Sequence, residues 1–400
     1  MDSTRIITRI REGVLADALY EDGRLAELSL YPEGQESLLG NIYVGRVQNV
    51  VKNIRAAFVE IQKGVLCYLP LEDAKAPVYT KPAGKSGPPV QGDELLVQVS
   101  REAVKTKPPS VTTDLNLSGK YLVLTTGSRT VGYSGKLSAP EKRRLKEWAA
   151  DKASADSFGM IVRTSAAQAG EEELDREYGR LLALREYLTG QAVHRTLFSC
   201  VFRGRPAYVS SLLDSRSREL RSILTDDPAV YEELRSCLME EAPEDLEKLC
   251  LRQDPQYPLK AEYRLEKGMA DALSERVWMK SGAYLVIEQV EALTVVDVNT
   301  GKCVKGKDKQ ETIRRINREA AIEIARQMIL RNLSGILLVD FVDMEEDGAA
   351  EWLLELMRTE LRRDPMKAAA VDMTALGLME ITRKKQRKTL KEQAKECGIR

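Results

Sequence analysis

Histidine is almost absent from this sequence: His194 is the only one among its 400 residues. Acid/base chemistry by a pair of histidines and zinc sites built from histidines are therefore excluded, and a Ser-His-Asp triad has a single candidate base. Hydrolytic chemistry must then use carboxylates with a hard metal ion, or lysine, tyrosine or cysteine.

The sequence also has few features of secreted or membrane proteins. The six cysteines are dispersed without a Cys-x-x-Cys pair, and no signal-like apolar run follows Met1. We therefore expect a reduced, cytoplasmic protein without a cysteine-built zinc site. No run approaches the roughly 18 apolar residues that a bilayer span needs. Because 61 Lys+Arg balance 61 Asp+Glu, a nucleic-acid surface would need locally gathered positive charge.

The first hundred residues have the pattern of β-structure in a chain long enough for two to four domains. Asp22-Gly23 between apolar runs predicts a hairpin over residues 5–30. Short strands between residues 40 and 99, separated by glycine and proline, predict a small barrel. The Pro- and Gly-rich stretch 74–92 is predicted to be a mobile surface loop inserted in that barrel.

The middle of the chain predicts mixed α/β structure. We expect strands at 121–124 and 159–164 and helices at 139–150 and 170–189. The segment 205–265 is acidic, which disfavours it as a nucleic-acid surface.

The last third predicts two strands and a helix. The apolar runs before Asp297 and Asp340 predict fully buried strands in a sheet covered by helices. Between them, Ile313, Ile316, Ala320, Ile324 and Met328 recur every three or four residues, as in an amphipathic helix.

Asp297 and Asp340 are the candidate chemical groups of this region. If their strands are neighbours, the two carboxylates form a minimal site for a hard divalent cation such as Mg²⁺ and phosphate oxygens. Asn299, two residues after Asp297, would point to the same side of an extended strand. From spacing alone, it is equally possible that the two aspartates only cap helices or turns and bind no metal.

Several motifs in this region resemble, in the right order, the catalytic core of the ribonuclease E/G family: residues 281–301, 317–321, 324–327 and 335–344. The resemblance implies an endoribonuclease in which metal-activated water cleaves single-stranded RNA, leaving 5′-phosphate and 3′-hydroxyl ends, in rRNA processing and mRNA decay. It implies that Asp297 and Asp340 bind the metal and that Asn299 is catalytic. Mg²⁺ is the implied cofactor, Mn²⁺ is an alternative and zinc is not expected. Asp343 is implied to lie beside the metal ligands.

The same resemblance implies two RNA-binding elements. One is an OB-fold barrel in which Phe58, Tyr68 and Lys107 contact RNA, since aromatic faces stack on bases and lysine neutralises phosphate. For Phe58, burial in the barrel core is the alternative. The other is a 5′-sensor that favours 5′-monophosphorylated substrates. Its phosphate-binding residues would be Arg163, Thr164, Gly119 and Val123; an Arg-Thr pair without a ligand is the alternative.

The resemblance implies an α/β multidomain chain in five parts. These are an RNase H-like subdomain (first part, 1–38), an OB-fold RNA-binding barrel (39–118), a 5′-sensor region (119–206), the second part of the RNase H-like subdomain (207–275) and a DNase I-like catalytic subdomain with a basic tail (276–400).

The end of the sequence departs from the family pattern. Cys397 stands where longer members have a Cys-Pro-x-Cys zinc link, and one thiolate cannot replace that motif. The family's small C-terminal domain is also missing. Homo-oligomerisation therefore stays open, as does whether the chain is naturally short. Residues 381–400 hold eight basic and two acidic residues, which predicts either a solvated charged helix or an RNA-binding tail.

Two other functions compete with this interpretation. A non-catalytic RNA-binding or ribosome-associated protein could retain the barrel, but the joint presence of Asp297, Asn299 and Asp340 disfavours it. A DNA nuclease is disfavoured by the resemblance to the barrel and the sensor.

Overall fold

The computed structural model describes residues 3–34, 37–81, 85–103, 107–155, 158–214, 220–301, 309–385 and 387–399. Met1, Cys303, Arg400 and residues 82–84 of the Pro- and Gly-rich stretch lie outside these ranges. None of the helices in the described ranges combines the length and apolar character that a membrane crossing requires.

The strands of the described residues are β1 Ser3–Arg11, β2 Val14–Glu21, β3 Arg24–Pro32, β4 Ile42–Val51, β5 Ala56–Gln62, β6 Val65–Pro70, β7 Tyr79–Lys81, β8 Glu94–Arg101, β9 Ser110–Thr112, β10 Asn116–Ser118, β11 Leu122–Thr125, β12 Val131–Tyr133, β13 Gly159–Val162, β14 Cys200–Phe202, β15 Ser222–Thr225, β16 Leu249–Leu251, β17 Arg276–Trp278, β18 Tyr284–Gln289, β19 Leu293–Asn299, β20 Gly335–Asp340, β21 Ala368–Met373 and β22 Leu378–Arg383. The α-helices are α1 Ala139–Ala155, α2 Glu171–Glu186, α3 Ala207–Asp214, α4 Pro228–Glu241, α5 Leu259–Glu262, α6 Leu265–Leu273, α7 Lys309–Leu330, α8 Ala349–Leu361 and α9 Leu390–Glu396.

The chain forms two compact units, each made of segments that are distant in sequence. One comprises Met1–Gly34, Glu219–Arg235 and Glu247–Arg400, and the other comprises Gln35–Arg218 and Ser236–Leu246. The five-part division expected from the sequence stays a prediction.

The N-terminal sheet of the first unit has the strand order β16-β15-β1-β2-β3. The predicted hairpin is present, and Asp22 and Gly23 form its turn with φ angles of 48° and 75°. Such positive angles suit the Asp-Gly step of a tight hairpin. β15 and β16, from the acidic segment, pair in parallel beside β1.

The six-stranded sheet of the first unit has the order β17-β18-β19-β20-β22-β21. The predicted helix is α7, and all five of its predicted apolar positions are buried. Four of them, Ile316, Ala320, Ile324 and Met328, belong to a core shared with the sheet and α8. The prediction that the strands near Asp297 and Asp340 are buried on both faces is wrong, because the core covers one face. On the other, Val295 and Ile336 are 38% and 51% exposed. All pairs except β19–β20 are antiparallel, and such sheets can keep one solvated face.

The second unit contains the predicted barrel. Strands β4, β5, β6, β9 and β8 follow one another, and a further pairing of β4 with β8 closes the barrel. This arrangement is consistent with an OB-fold. The stretch 74–92 is only partly a loop: its short strand β7 pairs with β8, and the Tyr79 hydroxyl donates to the Gly87 carbonyl at 2.7 Å. A three-residue strand among prolines and glycines leaves too short a pattern to recognise.

A four-stranded sheet in the second unit has the order β10-β11-β13-β12. The strands and helices predicted between residues 119 and 189 are present as β11, β13, α1 and α2. Leu122, Leu145 and Leu174, from one strand and both helices, are buried in a common core.

The basic C-terminal segment is not simply a solvated helix. α9 buries Leu390 and Ala394 against the N-terminal sheet, and the Leu30 N–H donates to the Gln393 Oε1 atom at 2.9 Å. Arg383, also counted in the basic run, is buried and paired with Asp364 at 2.6 Å. The segment is therefore amphipathic, with part of its charge used inside the unit.

We expect Leu390→Ala to lower the free energy of unfolding by about 2–5 kcal/mol, because it opens a cavity between α9 and β3. Lys395→Ala, which changes an exposed residue of the same helix, should change it by less than about 0.5 kcal/mol. Urea unfolding followed by circular dichroism measures both. Equal effects of the two substitutions would contradict the packed position of α9.

Candidate functional site

The two candidate aspartates lie side by side. β19 and β20 are neighbouring parallel strands, and Asp297 is directly paired with Asp340. Directly paired residues point to the same face, and both side chains are exposed on the open face of the six-stranded sheet. The convergence expected from the sequence is therefore present, and both residues are strand residues, which argues against the capping alternative.

Asn299 joins this pair. Its Nδ2 atom donates to the Asp297 Oδ2 atom at 2.6 Å, as expected for residues two apart on one strand. The hydrogen bond fixes the orientation of the carboxylate and of the amide.

The electrostatics of the site favour a cation. The pKa of Asp340 is raised above its usual value, first by partial desolvation and then by the nearby negative charges of Asp297 and Asp343. Like charges held close together disfavour ionisation, and a positive ion between them removes that cost.

Two carboxylates and an amide match the oxygen ligands that hard divalent cations prefer. Asp297 and Asp340 could hold such an ion with water completing its shell. No group of three or more His, Cys, Asp or Glu side chains within the described ranges is arranged to hold a metal.

Buried Asn317 on α7 holds the chain that follows Asp340. Its Nδ2 atom donates to the Val342 carbonyl at 2.7 Å, and its Oδ1 atom accepts from the Val342 N–H at 3.1 Å. These two hydrogen bonds give partners to the backbone N–H and carbonyl groups of Val342, just after β20 ends. They also fix the segment that carries Asp343.

Glu319, two residues further along α7, holds the turn between β17 and β18. Its Oε1 atom accepts from the backbone N–H groups of Lys280 and Ser281 at 2.7 and 3.3 Å. At Gly301, just after Asn299, a Cβ atom would lie 2.9 Å from the Gly282 carbonyl oxygen. Only glycine at position 301 allows the turn after β19 to approach the turn between β17 and β18 this closely.

The predicted sensor residues lie around a loop in the second unit. Glu177 of α2, which is buried, accepts from the backbone N–H groups of Lys120, Tyr121 and Leu122 at 2.7–2.8 Å. Burial raises the pKa of Glu177, although these N–H groups act in the opposite direction. A Cβ atom at Gly119 would overlap the Glu177 carboxylate, so a larger residue would displace that carboxylate from its three backbone partners.

Arg163 contacts this loop directly. Its Nη1 atom donates to the Gly119 carbonyl at 2.8 Å. The Thr164 hydroxyl shares a hydrogen bond of 2.8 Å with the Ser134 hydroxyl. Val123 is paired with Ile161 on β13. The structure thus brings Arg163 and Gly119 into contact, with Thr164 adjacent to Arg163 and Val123 two strand residues away.

Phe58 and Tyr68 are cross-strand partners on the barrel. Their ring centroids are 6.0 Å apart at an angle of 71°. Both rings are half-buried, whereas Ala57, Val59 and Leu69 fill the barrel core. The core alternative for Phe58 therefore does not hold.

Lys107 is exposed and stands three residues before Ser110, the partner of Tyr68. Among the described contacts none joins its ammonium group to either ring.

Sequence reasoning missed the residues that position these sites. Asn317 and Glu319 lie in a motif that matched the family, but nothing local indicated their partners. Glu177 lies in a run of charged helical residues with no special signal. The period of α2 places Glu177 three residues after the core residue Leu174, and a carboxylate on a buried helical face is the one signal that could have identified it.

Comparison with known proteins gives a consistent result. A profile described as "Ribonuclease E/G family" matches residues 116–386. Ribonuclease G of Haemophilus influenzae is 32% identical over 401 residues, covering 98% of this chain and 81% of the relative. Ribonuclease G of Escherichia coli is 33% identical over 93% of this chain and 78% of the relative. Ribonuclease E of Haemophilus influenzae is 29% identical over 97% of this chain but only 42% of the relative.

If the carboxylate pair binds a cation, Asp340→Asn should affect thermal stability differently with and without that cation. In the absence of divalent cations, Asp340→Asn should leave the melting temperature unchanged or slightly higher, because it removes like-charge repulsion. With Mg²⁺ or Mn²⁺ the unsubstituted protein should gain stability, by about 2.7 kcal/mol at 100 times the dissociation constant, and the variant should not. Thermal melting with and without cation measures this. Asp347→Asn, an exposed residue of the following loop, should keep the gain; an equal gain in Asp340→Asn would exclude the cation from this pair.

Proposed function

Because the chain belongs to the ribonuclease E/G family, we propose that it is an endoribonuclease that hydrolyses single-stranded RNA to 5′-phosphate and 3′-hydroxyl ends. The observation that carries the proposal is the direct pairing of Asp297 with Asp340 on an exposed sheet face, with Asn299 bonded to Asp297. We assign it to rRNA processing and mRNA decay in the cytoplasm.

Asp297 and Asp340 would hold Mg²⁺, with Mn²⁺ as the alternative. The donor set fits, because both groups are hard oxygen ligands. The pKa of Asp340 is raised by partial desolvation and by the neighbouring negative charges of Asp297 and Asp343, which a cation would offset. When bound, the cation lowers the pKa of a water and offsets charge on the phosphate.

The chain's own residues then orient the reaction. Asn299 holds the Asp297 carboxylate through its Nδ2 atom, and its amide would contact the phosphate. Asp343 lies beside the pair and adds negative charge, while Asn317 fixes the backbone between Asp340 and Asp343. A geometry that these hydrogen bonds already hold requires little reorganisation when substrate binds.

Arg163 and Thr164 would bind a terminal 5′-monophosphate, with Gly119 and Val123 shaping the site. A guanidinium fork suits the oxygens of a doubly charged phosphate, and a hydroxyl adds a further donor. The contact of Arg163 with the Gly119 carbonyl supports this role because it fixes the guanidinium at the edge of the loop.

Phe58, Tyr68 and Lys107 would hold single-stranded RNA on the barrel. The two half-buried rings offer faces for bases, and Lys107 offers a charge for phosphate. We further propose that the N-terminal sheet belongs to an RNase H-like subdomain and the six-stranded sheet to a DNase I-like catalytic subdomain.

Asp297→Asn and Asp340→Asn should each lower the rate of cleavage about a thousand-fold or more while leaving RNA affinity largely intact. Each change keeps the side-chain size but removes a negative charge that the cation requires. The measurement is cleavage of a 5′-monophosphorylated oligonucleotide with Mg²⁺, alongside binding by filter retention.

Asp347→Asn is the matched control and should cleave like the unsubstituted protein. Near-normal turnover of either active-site variant would refute the assignment of the metal site. Binding without cleavage by the unsubstituted protein would favour the non-catalytic alternative.

Arg163→Ala should reduce the preference for a 5′-monophosphate over a 5′-hydroxyl to near one, with cleavage of the 5′-hydroxyl substrate unchanged. One phosphate contact is lost, but the carboxylate pair is untouched. The ratio of kcat/KM for the matched substrates measures this. Arg163→Lys, which keeps the charge but not the fork, should retain part of the preference. If both substrates lose activity equally, Arg163 only supports the Gly119 loop.

A further inference from the structure

The exposed face of the six-stranded sheet carries two aromatic side chains beside the carboxylates. Trp278 on β17 is paired with Tyr284 on β18, and Tyr284 is paired with Asn299 on β19. Since directly paired residues share a face, these three side chains form one row across the sheet. Asn299 is therefore both the partner of Asp297 and the neighbour of the aromatic pair.

The exposed Trp278 ring and the half-buried Tyr284 ring form an aromatic platform. Their centroids are 5.0 Å apart at an angle of 51°, and Trp278 is 62% exposed. The core of this part of the sheet is made by Val277 and Leu285 on the opposite face. A large exposed tryptophan on an edge strand is thus not required for that core.

Arg276 adds a positive charge to this platform. Its guanidinium carbon lies 4.6 Å from the centre of the Tyr284 ring and 5.9 Å from that of Trp278. Arg276 is paired with Val286, which is paired with Asp297. Two strand spacings, roughly 10 Å, therefore separate the backbone of Arg276 from that of Asp297, which neighbouring nucleotides of one strand can span.

Building on the endoribonuclease function proposed above, we propose that Trp278, Tyr284 and Arg276 form a stacking subsite for one base next to the scissile phosphate. The rings would stack on the base, and Arg276 would contact the phosphate of that nucleotide. Aromatic faces accept any base, so the subsite positions the strand without selecting sequence. It is continuous with the carboxylate pair through Asn299.

A protein partner suits this face less well. The same face carries Asp297 and Asp340, and an apolar partner would bury both carboxylates without compensating charge. RNA instead brings polar groups to this face. The positive charge of Arg276 offsets part of the repulsion between the RNA phosphates and the two carboxylates.

The test compares Trp278→Ala, Trp278→Phe and a matched control. The control is Tyr257→Ala, which removes a 66% exposed aromatic residue outside this sheet. Fluorescence anisotropy with a 2′-O-methyl oligonucleotide, checked on a gel for integrity, gives the affinity. We expect Trp278→Ala to bind roughly 5- to 100-fold more weakly, Trp278→Phe to retain most of the affinity, and Tyr257→Ala to bind normally. Thermal melting establishes that each variant is folded.

Oligonucleotides with a single abasic position identify the stacked base. An abasic position next to the scissile phosphate should weaken binding to the unsubstituted protein but not to Trp278→Ala. Unchanged affinity of Trp278→Ala would overturn the subsite. So would abasic positions that each weaken binding to Trp278→Ala as much as they weaken binding to the unsubstituted protein. A Trp278-dependent change in oligomeric state with normal RNA affinity would also overturn it, in favour of a contact between copies.

Failure of the proposed function gives a different result. If the unsubstituted protein cleaves no RNA but the Trp278-dependent loss of affinity persists, base stacking at Trp278 stands, while the catalytic assignment and the position next to a scissile phosphate both fall. If it cleaves normally and Trp278→Ala is indistinguishable from it in binding and in KM, the subsite falls alone.

Discussion

The register of β19 and β20 is the constraint on which the candidate active site depends. It places Asp297 opposite Asp340 on the exposed face, while Val296 and Val339 of the same strands enter the core under α7 and α8. Because side chains alternate along a strand, a slip of one residue would bury both carboxylates and expose the core. The free energy gained by burying the apolar residues thus offsets the repulsion between the two carboxylates.

Polar side chains on helices extend this control to the surrounding backbone. Asn317 and Glu319 hold segments on two sides of the carboxylate pair, and Glu177 does the same for the loop at Gly119. In each case a side chain on a helix satisfies backbone groups of a loop that would otherwise lack partners. Helices in both units therefore act as rigid supports for the short segments that carry candidate site residues.

Patterns within a few residues predicted most of the secondary structure and the carboxylate pair. The spacing of Ile316, Ala320 and Ile324 was enough to place α7 and its buried face. Coverage of only one sheet face could not be foreseen, because both faces of β19 and β20 carry apolar residues: Val295 and Ile336 lie on the exposed face, and Val296 and Val339 lie in the core. The partners of Glu177 are 55 to 57 residues away, and no local pattern encodes a contact over that separation.

The N-terminal sheet has a consequence for how the chain is made. β1 can pair with β2 as soon as both leave the ribosome, but Thr4 and its neighbour Ser222 are separated by 218 residues. β3 lies at the sheet edge and gains the packing of α9 only after residues 390–396 are synthesised. An uncovered strand edge can pair with other chains. The nascent chain therefore passes through a long interval in which this sheet is incomplete on both sides, and slow translation would prolong its exposure.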